Sequence, residues 1–242
     1  GRIRQRRWEP ARDALWSFVA PVLEEGARVG IVGAGNGDSL PLRRIAGRAD
    51  EIVLIDIDPR AAEGARRRLG RGARRRVEVL GHDVTEGAAD RIALAAPSDP
   101  PGAPPMVDPT GAAVDTVHPA GVALADPLPG APYDLVIGDL FYSQLLYPAL
   151  LDLGADGERI DAVIAAHAPS LTAAVVARLH ASAPLVVHVH DPLAWWDGHE
   201  QPVLLEAILD LTARGDLDGA LALVARGNGP HETDPRVALA AL

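Results

Sequence analysis

Apolar and polar positions along the chain follow two periods in turn. Over residues 8–25 the apolar side chains Leu15, Phe18, Val19 and Val22 fall on one side of a helix, within a helical segment 1–26. Residues 27–33 form a continuous apolar run, the signature of a strand buried on both faces. Runs of the same kind recur at 51–58, 76–83, 133–139 and 184–191. Helical patterns lie between and after them: 39–46 with Asp38 or Ser39 as N-cap, 59–69 opened by Asp58 and Pro59, 171–182, 203–213 and 217–225. Strands alternating with helices predict a doubly wound α/β fold: a mostly parallel sheet with helices on both faces. The whole chain, 1–242, reads as one domain. Residues 97–132 break the rhythm. They are dense in Pro, Gly, Ala and Asp, too long for an ordinary connection, and read as an insertion or lid before the fourth strand.

The first strand runs into "VGAGNGD", where Gly33, Gly35 and Gly37 make a tight turn before a helix. Such a turn lets backbone amides approach a ligand closely. In an open parallel sheet ligands bind outside the carboxyl ends of the strands. Four consecutive strands end there in carboxylates: Asp56, Asp83, Asp139 and Asp191. Each alone is an ordinary cap or turn residue. Together, in step with the glycine turn, they mark a site. Asp56 lies at a spacing from Gly33 at which an acid meets ribose hydroxyls.

These stretches resemble the class I S-adenosylmethionine (SAM)-dependent methyltransferases, over roughly residues 28–191 without the insertion. "VGAGNGD" is similar to the family's glycine motif, and "LIDIDPRAAEGARRRL" to its second motif. The resemblance implies SAM as cofactor, held by Gly33, Gly35, Asn36 and Gly37, with Asp56 on the ribose and Ile57 beside it. "VEVLGHDV" implies Asp83 near the adenine amino group and Val84 next to it; "YDLVIGDLFY" puts Asp139 beside the methyl donor. One position departs from the family: Ile31 stands two residues before Gly33, where an acid usually anchors the methionine amino group, and Asp139 or another carboxylate would replace it. A dinucleotide-binding dehydrogenase fits less well, because Asp38 occupies the place of a third close-packing glycine. Aminopropyl transfer, as in spermidine synthases, and a non-catalytic SAM-binding subunit are the alternatives.

Composition narrows the acceptor. The net charge is −10, which argues against a nucleic-acid partner, and the run 66–76, rich in arginine, reads as a solvated helix end, with RNA or another anionic partner as the minor alternative. No apolar run looks long enough for a bilayer, and the opening arginines precede a mixed helix, so the expectation is a cytoplasmic protein without a membrane partner. There is no cysteine and no lysine, which removes thiolate and Schiff-base chemistry. The excess of Ala, Arg, Gly and Pro fits GC-rich coding and a setting in bacterial natural product biosynthesis. A small-molecule acceptor, N- or O-methylated, and a homodimer complete the expectation. The catalytic candidates are Asp139, Tyr142, His190 and Asp191, with His190 or Asp191 taking the acceptor's proton and Asp139 orienting the nucleophile. His188 reads as a core histidine. The pair Trp195 and Trp196, with Asp197, His199 and Glu200, lies just beyond. A metal is not expected, because His190 stands where Mg²⁺ would need an oxygen ligand.

Overall fold

The computed structural model describes residues 8–96, 124, 126–191, 205–227 and 233–240. In chain order the elements are α1 (Glu9–Val19), β1 (Arg28–Val32), α2 (Leu42–Arg48), β2 (Glu51–Asp56), α3 (Pro59–Arg67), α4 (Arg71–Arg74), β3 (Val77–Gly81), α5 (Ala88–Ala95), β4 (Leu135–Asp139), α6 (Tyr147–Asp152), α7 (Gly157–Ser182), β5 (Val186–Val189), α8 (Leu205–Ala213), α9 (Leu217–Gly227) and α10 (Pro235–Leu239). A short 3₁₀ turn, Tyr142–Gln144, follows β4. The five strands form one all-parallel sheet in the order β3-β2-β1-β4-β5. This is the doubly wound arrangement that the alternation predicts.

Alternate residues of each strand feed two cores. Ile52, Leu54, Val29, Ile31, Leu135 and Ile137 pack under α1, α2 and α3. Val53, Ile55, Val32 and Val136 pack on the other face, under α5, α6 and α7. Burial on both faces explains why the strands read as unbroken apolar runs rather than alternating ones.

Several expected boundaries shift. Helix α1 ends at Val19, and it buries Leu15 and Val19, while Phe18 and Val22 are exposed; Leu23, beyond the helix, takes the expected place in the core. Helix α2 starts at Leu42 behind Pro41 and not at Ser39, because Asp38 and Ser39 are engaged elsewhere. Helix α7 begins fourteen residues before the expected 171, N-capped by the Asp156 side chain, and runs through Pro169. By length and composition α7 could cross a membrane, contrary to the expectation that no run is long enough. It buries Leu171, Val175, Val176 and Leu179 completely against the rest of the fold. Of the 97–132 insertion, 97–123 and 125 lie outside the described residues. Helices α8 and α9 pack on each other through Ile208, Ala220 and Val224.

Candidate active site

Strand register puts the key residues level with one another. Val32 pairs with Ile55 of β2 and with Gly138 of β4. The next residue on each strand is therefore Gly33 in the middle, flanked by Asp56 and Asp139. This is the switch point of the sheet, where β1 leads to a helix on one face and β4 to helices on the other, and where a crevice opens. A cleft of about 360 Å³ lies here, lined by Gly33, Asp56, Ile57, His82, Val84 and Phe141 among others.

Gly33 has φ +73°, and a Cβ there would stand 2.7 Å from the Asp139 carbonyl oxygen and 2.8 Å from Phe141 Cβ. Gly37, at φ +63°, would similarly strike Leu42 and Ala65. The glycines are thus required both by backbone conformation and by close packing of β4 on the turn. Gly33→Ala is expected to cost roughly 2 kcal/mol or more, from left-handed strain plus the displacement of Asp139. Urea unfolding checks this, and a variant as stable as the parent would show that the turn accommodates a side chain.

Asp56 does two things at once. Its Oδ2 accepts from the Gly35 N–H at 2.7 Å and its Oδ1 from the Asp58 N–H at 2.8 Å, which ties the glycine turn to the end of β2. Each oxygen keeps a second lone pair for a further donor. Beside it Ile57 is 77% exposed, an unusual position for a large apolar side chain, and forms a lip of the cleft suited to a flat ring. Val84 lines the same wall.

Asp83 lines the cleft and also closes its own turn. Its carboxylate accepts from Thr85 N–H, Thr85 Oγ1 and Gly87 N–H, at 2.6 to 2.9 Å. These bonds close the 83–87 turn with three donor hydrogens and leave the carboxylate a lone pair at the cleft wall. The turn is held from behind by Arg178 of α7, which is 2% exposed. Arg178 donates to the Val84 carbonyl at 2.9 Å, to Glu86 and to the Pro127 carbonyl. In the sequence Arg178 is one arginine in an apolar helical pattern, and nothing there marks it.

At the β4 end, Asp139 is 4% exposed. Ser39 Oγ donates to its Oδ2 at 2.5 Å, while its buried Oδ1 has no hydrogen-bond partner. Burial pushes its pKa up to about 6, against the Ser39 hydrogen bond that lowers it. Asp139 itself is not among the residues lining the cleft, although its neighbours Leu140 and Phe141 are; its open buried oxygen is a place for a donor or cation. Ile31, at the usual acid position, is fully buried in the core under α1 and α2. Leu140, next to Asp139, has φ +54° and lines the cleft. Strain of this kind in a bulky residue collects at functional sites.

The remaining candidates separate. Tyr142 is fully buried and its hydroxyl bonds His188 Nδ1, so it does not reach a ligand; burial raises its pKa further, and the expected catalytic role is withdrawn. His188 in turn meets His180 Nε2 at 3.1 Å, and burial lowers its pKa to about 4, leaving it neutral. It bonds side chains rather than a carbonyl. His190 is directed to Asp234, with Nε2 3.6 Å from Oδ1, and does not line the cleft. Asp191 is exposed and accepts from Ser143 Oγ at 3.2 Å, beside Gln144 of the cleft. Asn36 and Gly37 stand in the turn without lining the cleft. Trp195, Trp196, Asp197, His199 and Glu200 lie outside the described residues. Among the described residues no three His, Asp or Glu side chains are grouped to hold a metal. His82, unmarked as a site residue in the sequence, also lines the cleft; its Nε2 is buried without a hydrogen-bond partner, and burial lowers its pKa.

No family model matches the chain, and no curated protein matches it. Solved structures do. A SAM-dependent methyltransferase from Aquifex aeolicus is 15% identical, with a TM-score of 0.39, over 85% of this chain and 78% of that one. The magnesium protoporphyrin IX methyltransferase of Synechocystis PCC 6803, solved with bound SAH, is 15% identical with a TM-score of 0.32, over 62% and 52%. The precorrin 8w decarboxylase of Methanobacterium thermoautotrophicum is 16% identical with a TM-score of 0.28, over 62% and 59%. At these identities and TM-scores the likeness carries no weight for function. The cleft's own residues do.

Proposed function

We propose that this chain is a SAM-dependent methyltransferase acting on a small-molecule acceptor. The observation that carries the reading is the level array at the switch point: Gly33 between Asp56, which keeps lone pairs beyond its two backbone bonds, and a buried, half-satisfied Asp139, with Ile57 exposed alongside. Each fits one part of the cofactor. The free lone pairs of Asp56 suit the ribose hydroxyls, Ile57 and Val84 the adenine faces, and the open Oδ1 of Asp139 an ammonium group. Asp139 thus supplies the charge that Ile31 does not. When bound, the cofactor supplies an electrophilic methyl group on a sulfonium. The protein's part is then alignment of the acceptor and removal of its proton where it carries one. Asp191 is the group we assign to that proton, because it is exposed beside Ser143 whereas His190 turns to Asp234.

Asp56→Ala tests the reading. Loss of charge-assisted hydrogen bonds is expected to weaken SAM binding by roughly 1–3 kcal/mol, a drop of about five- to 150-fold in equilibrium dialysis. Binding equal to the parent's would remove Asp56 from the cofactor site. Aminopropyl transfer stays as the second reading, because an open buried carboxylate would hold an amine equally well.

A further inference from the structure

The net charge of −10 is unevenly distributed. Between Leu42 and Arg76 the sequence holds eleven arginines and five carboxylates, and after Arg76 it holds six arginines and 23 carboxylates. The fold brings part of that group together where α2, α3 and α4 meet. Arg74 Nη2 donates to the Arg67 carbonyl at 2.6 Å, joining α4 to the end of α3. Arg43 Nη2 reaches the Arg68 carbonyl at 3.4 Å, joining α2 to the same corner, and Arg76 bonds the Ala49 carbonyl at 3.2 Å. Four of the five carboxylates in that segment are already engaged, and the fifth, Asp50, is exposed. Glu63 is shared by Arg66 and Arg67, Asp58 caps α3, Glu51 pairs with Arg28, and Asp56 faces the glycine turn. Arg60, Arg71 and Arg75 are exposed and have no carboxylate partner among the described residues.

Favourable placement at helix ends accounts for Arg66 and Arg67 in the last turn of α3. Arg75, the C-cap of α4, is placed in the same way, but a helix of one turn has little dipole to offset the charge of Arg71, Arg74, Arg75 and Arg76. We propose that this arginine surface binds the phosphate backbone of a duplex nucleic acid, without reading its sequence. Guanidinium groups match phosphate oxygens in bidentate geometry. The segment from Leu42 to Arg76 contains no aromatic residue, so it offers no platform for stacking the open bases of a single strand. Helices α3 and α4 expose no large apolar side chain, so the surface has nothing to insert into a lipid bilayer. Arg68, at the same corner, donates to Asp38 of the glycine turn at 3.2 Å, which places the surface next to the cleft but outside it. The proposal is independent of which acceptor the cleft serves.

The test is fluorescence anisotropy of the full chain with a short labelled duplex, at rising salt. Binding in the micromolar range or tighter is expected at about 50 mM salt, with an affinity falling linearly on a log–log plot. Arg71→Glu with Arg75→Glu should reduce that slope by about two and cut affinity at least tenfold at low salt, with SAM binding unchanged. Arg60→Gln, a milder change, should reduce the slope by about one. No binding at low salt overturns the proposal. So does an unchanged slope in both variants, which would move the contact to another part of the chain. Binding to anionic phosphatidylserine vesicles in place of the duplex overturns it in favour of a membrane surface.

Discussion

Asp139→Asn is expected to make the protein more stable at neutral pH while weakening its hold on the ligand. The carboxyl group is buried, and its pKa is raised from 3.8 to about 6. Between about pH 4 and pH 6 the folded state therefore keeps a proton that the unfolded chain has released, and stability falls as pH rises through that window. Above it the buried charge costs roughly 2–3 kcal/mol, at about 1.4 kcal/mol per pKa unit. Asparagine carries no charge, but its amide N–H meets the same partnerless space as Oδ1, which returns about 1 kcal/mol. The net expectation is a gain of about 1–2 kcal/mol near pH 7.5 and none, or a loss, near pH 4. Denaturant unfolding at both pH values checks it; a difference independent of pH would show that the carboxylate is not strained by its burial. Ligand binding moves the other way. A cation held by the ionised form loses roughly tenfold or more in affinity when the charge is removed. The parent's affinity should also fall as pH drops below about 6, and the variant's should not.

The second large effect lies at Arg178. Replacing it by methionine keeps the aliphatic volume and removes the donors to Val84, Glu86 and Pro127. Two backbone carbonyls then lose their donor, and the expected cost is roughly 2–4 kcal/mol. Arg178→Lys should recover less than half, because an ammonium cannot fork to the same partners. Glu86→Ala should cost roughly 1–3 kcal/mol: Glu86 itself is exposed, but its loss leaves the buried Arg178 guanidinium without its carboxylate. Because the 83–87 turn forms the Val84 wall of the cleft, Arg178→Met should also raise the dissociation constant for SAM. Unfolding midpoints and SAM affinity measured together check this. A variant as stable as the parent would mean that the turn holds itself through Asp83 alone.

The sheet and the nucleotide end of the site were legible because they depend on local signals. Strands buried on both faces read as apolar runs, the glycine turn announces positive φ, and Asp56 sits at a fixed distance from it. Features that depend on distant partners were not. Arg178 acquires its meaning from Val84 and Glu86, more than ninety residues away in the chain. The bonds by which Asp83 also closes its own turn leave no separate trace in the sequence. Tyr142 follows β4 as an active-site tyrosine would, yet the 3₁₀ turn directs it inward to His188. Pro169 reads as a helix break, and α7 passes through it because burial of the residues on either side outweighs one lost hydrogen bond. The apolar face of α1 was misjudged for a related reason. Its helix stops at Val19, so Leu23 reaches the core from a loop while Val22 turns outward.

The central claim is tested most directly by calorimetric titration of the full chain with SAM, with decarboxylated SAM and NAD as comparison ligands. Saturable binding of one SAM per chain is expected, weakened in Asp56→Ala and Asp139→Asn, with no heat from NAD. A clear preference for decarboxylated SAM would move the reaction to aminopropyl transfer. No binding of SAM, or binding of NAD in its place, would contradict the account.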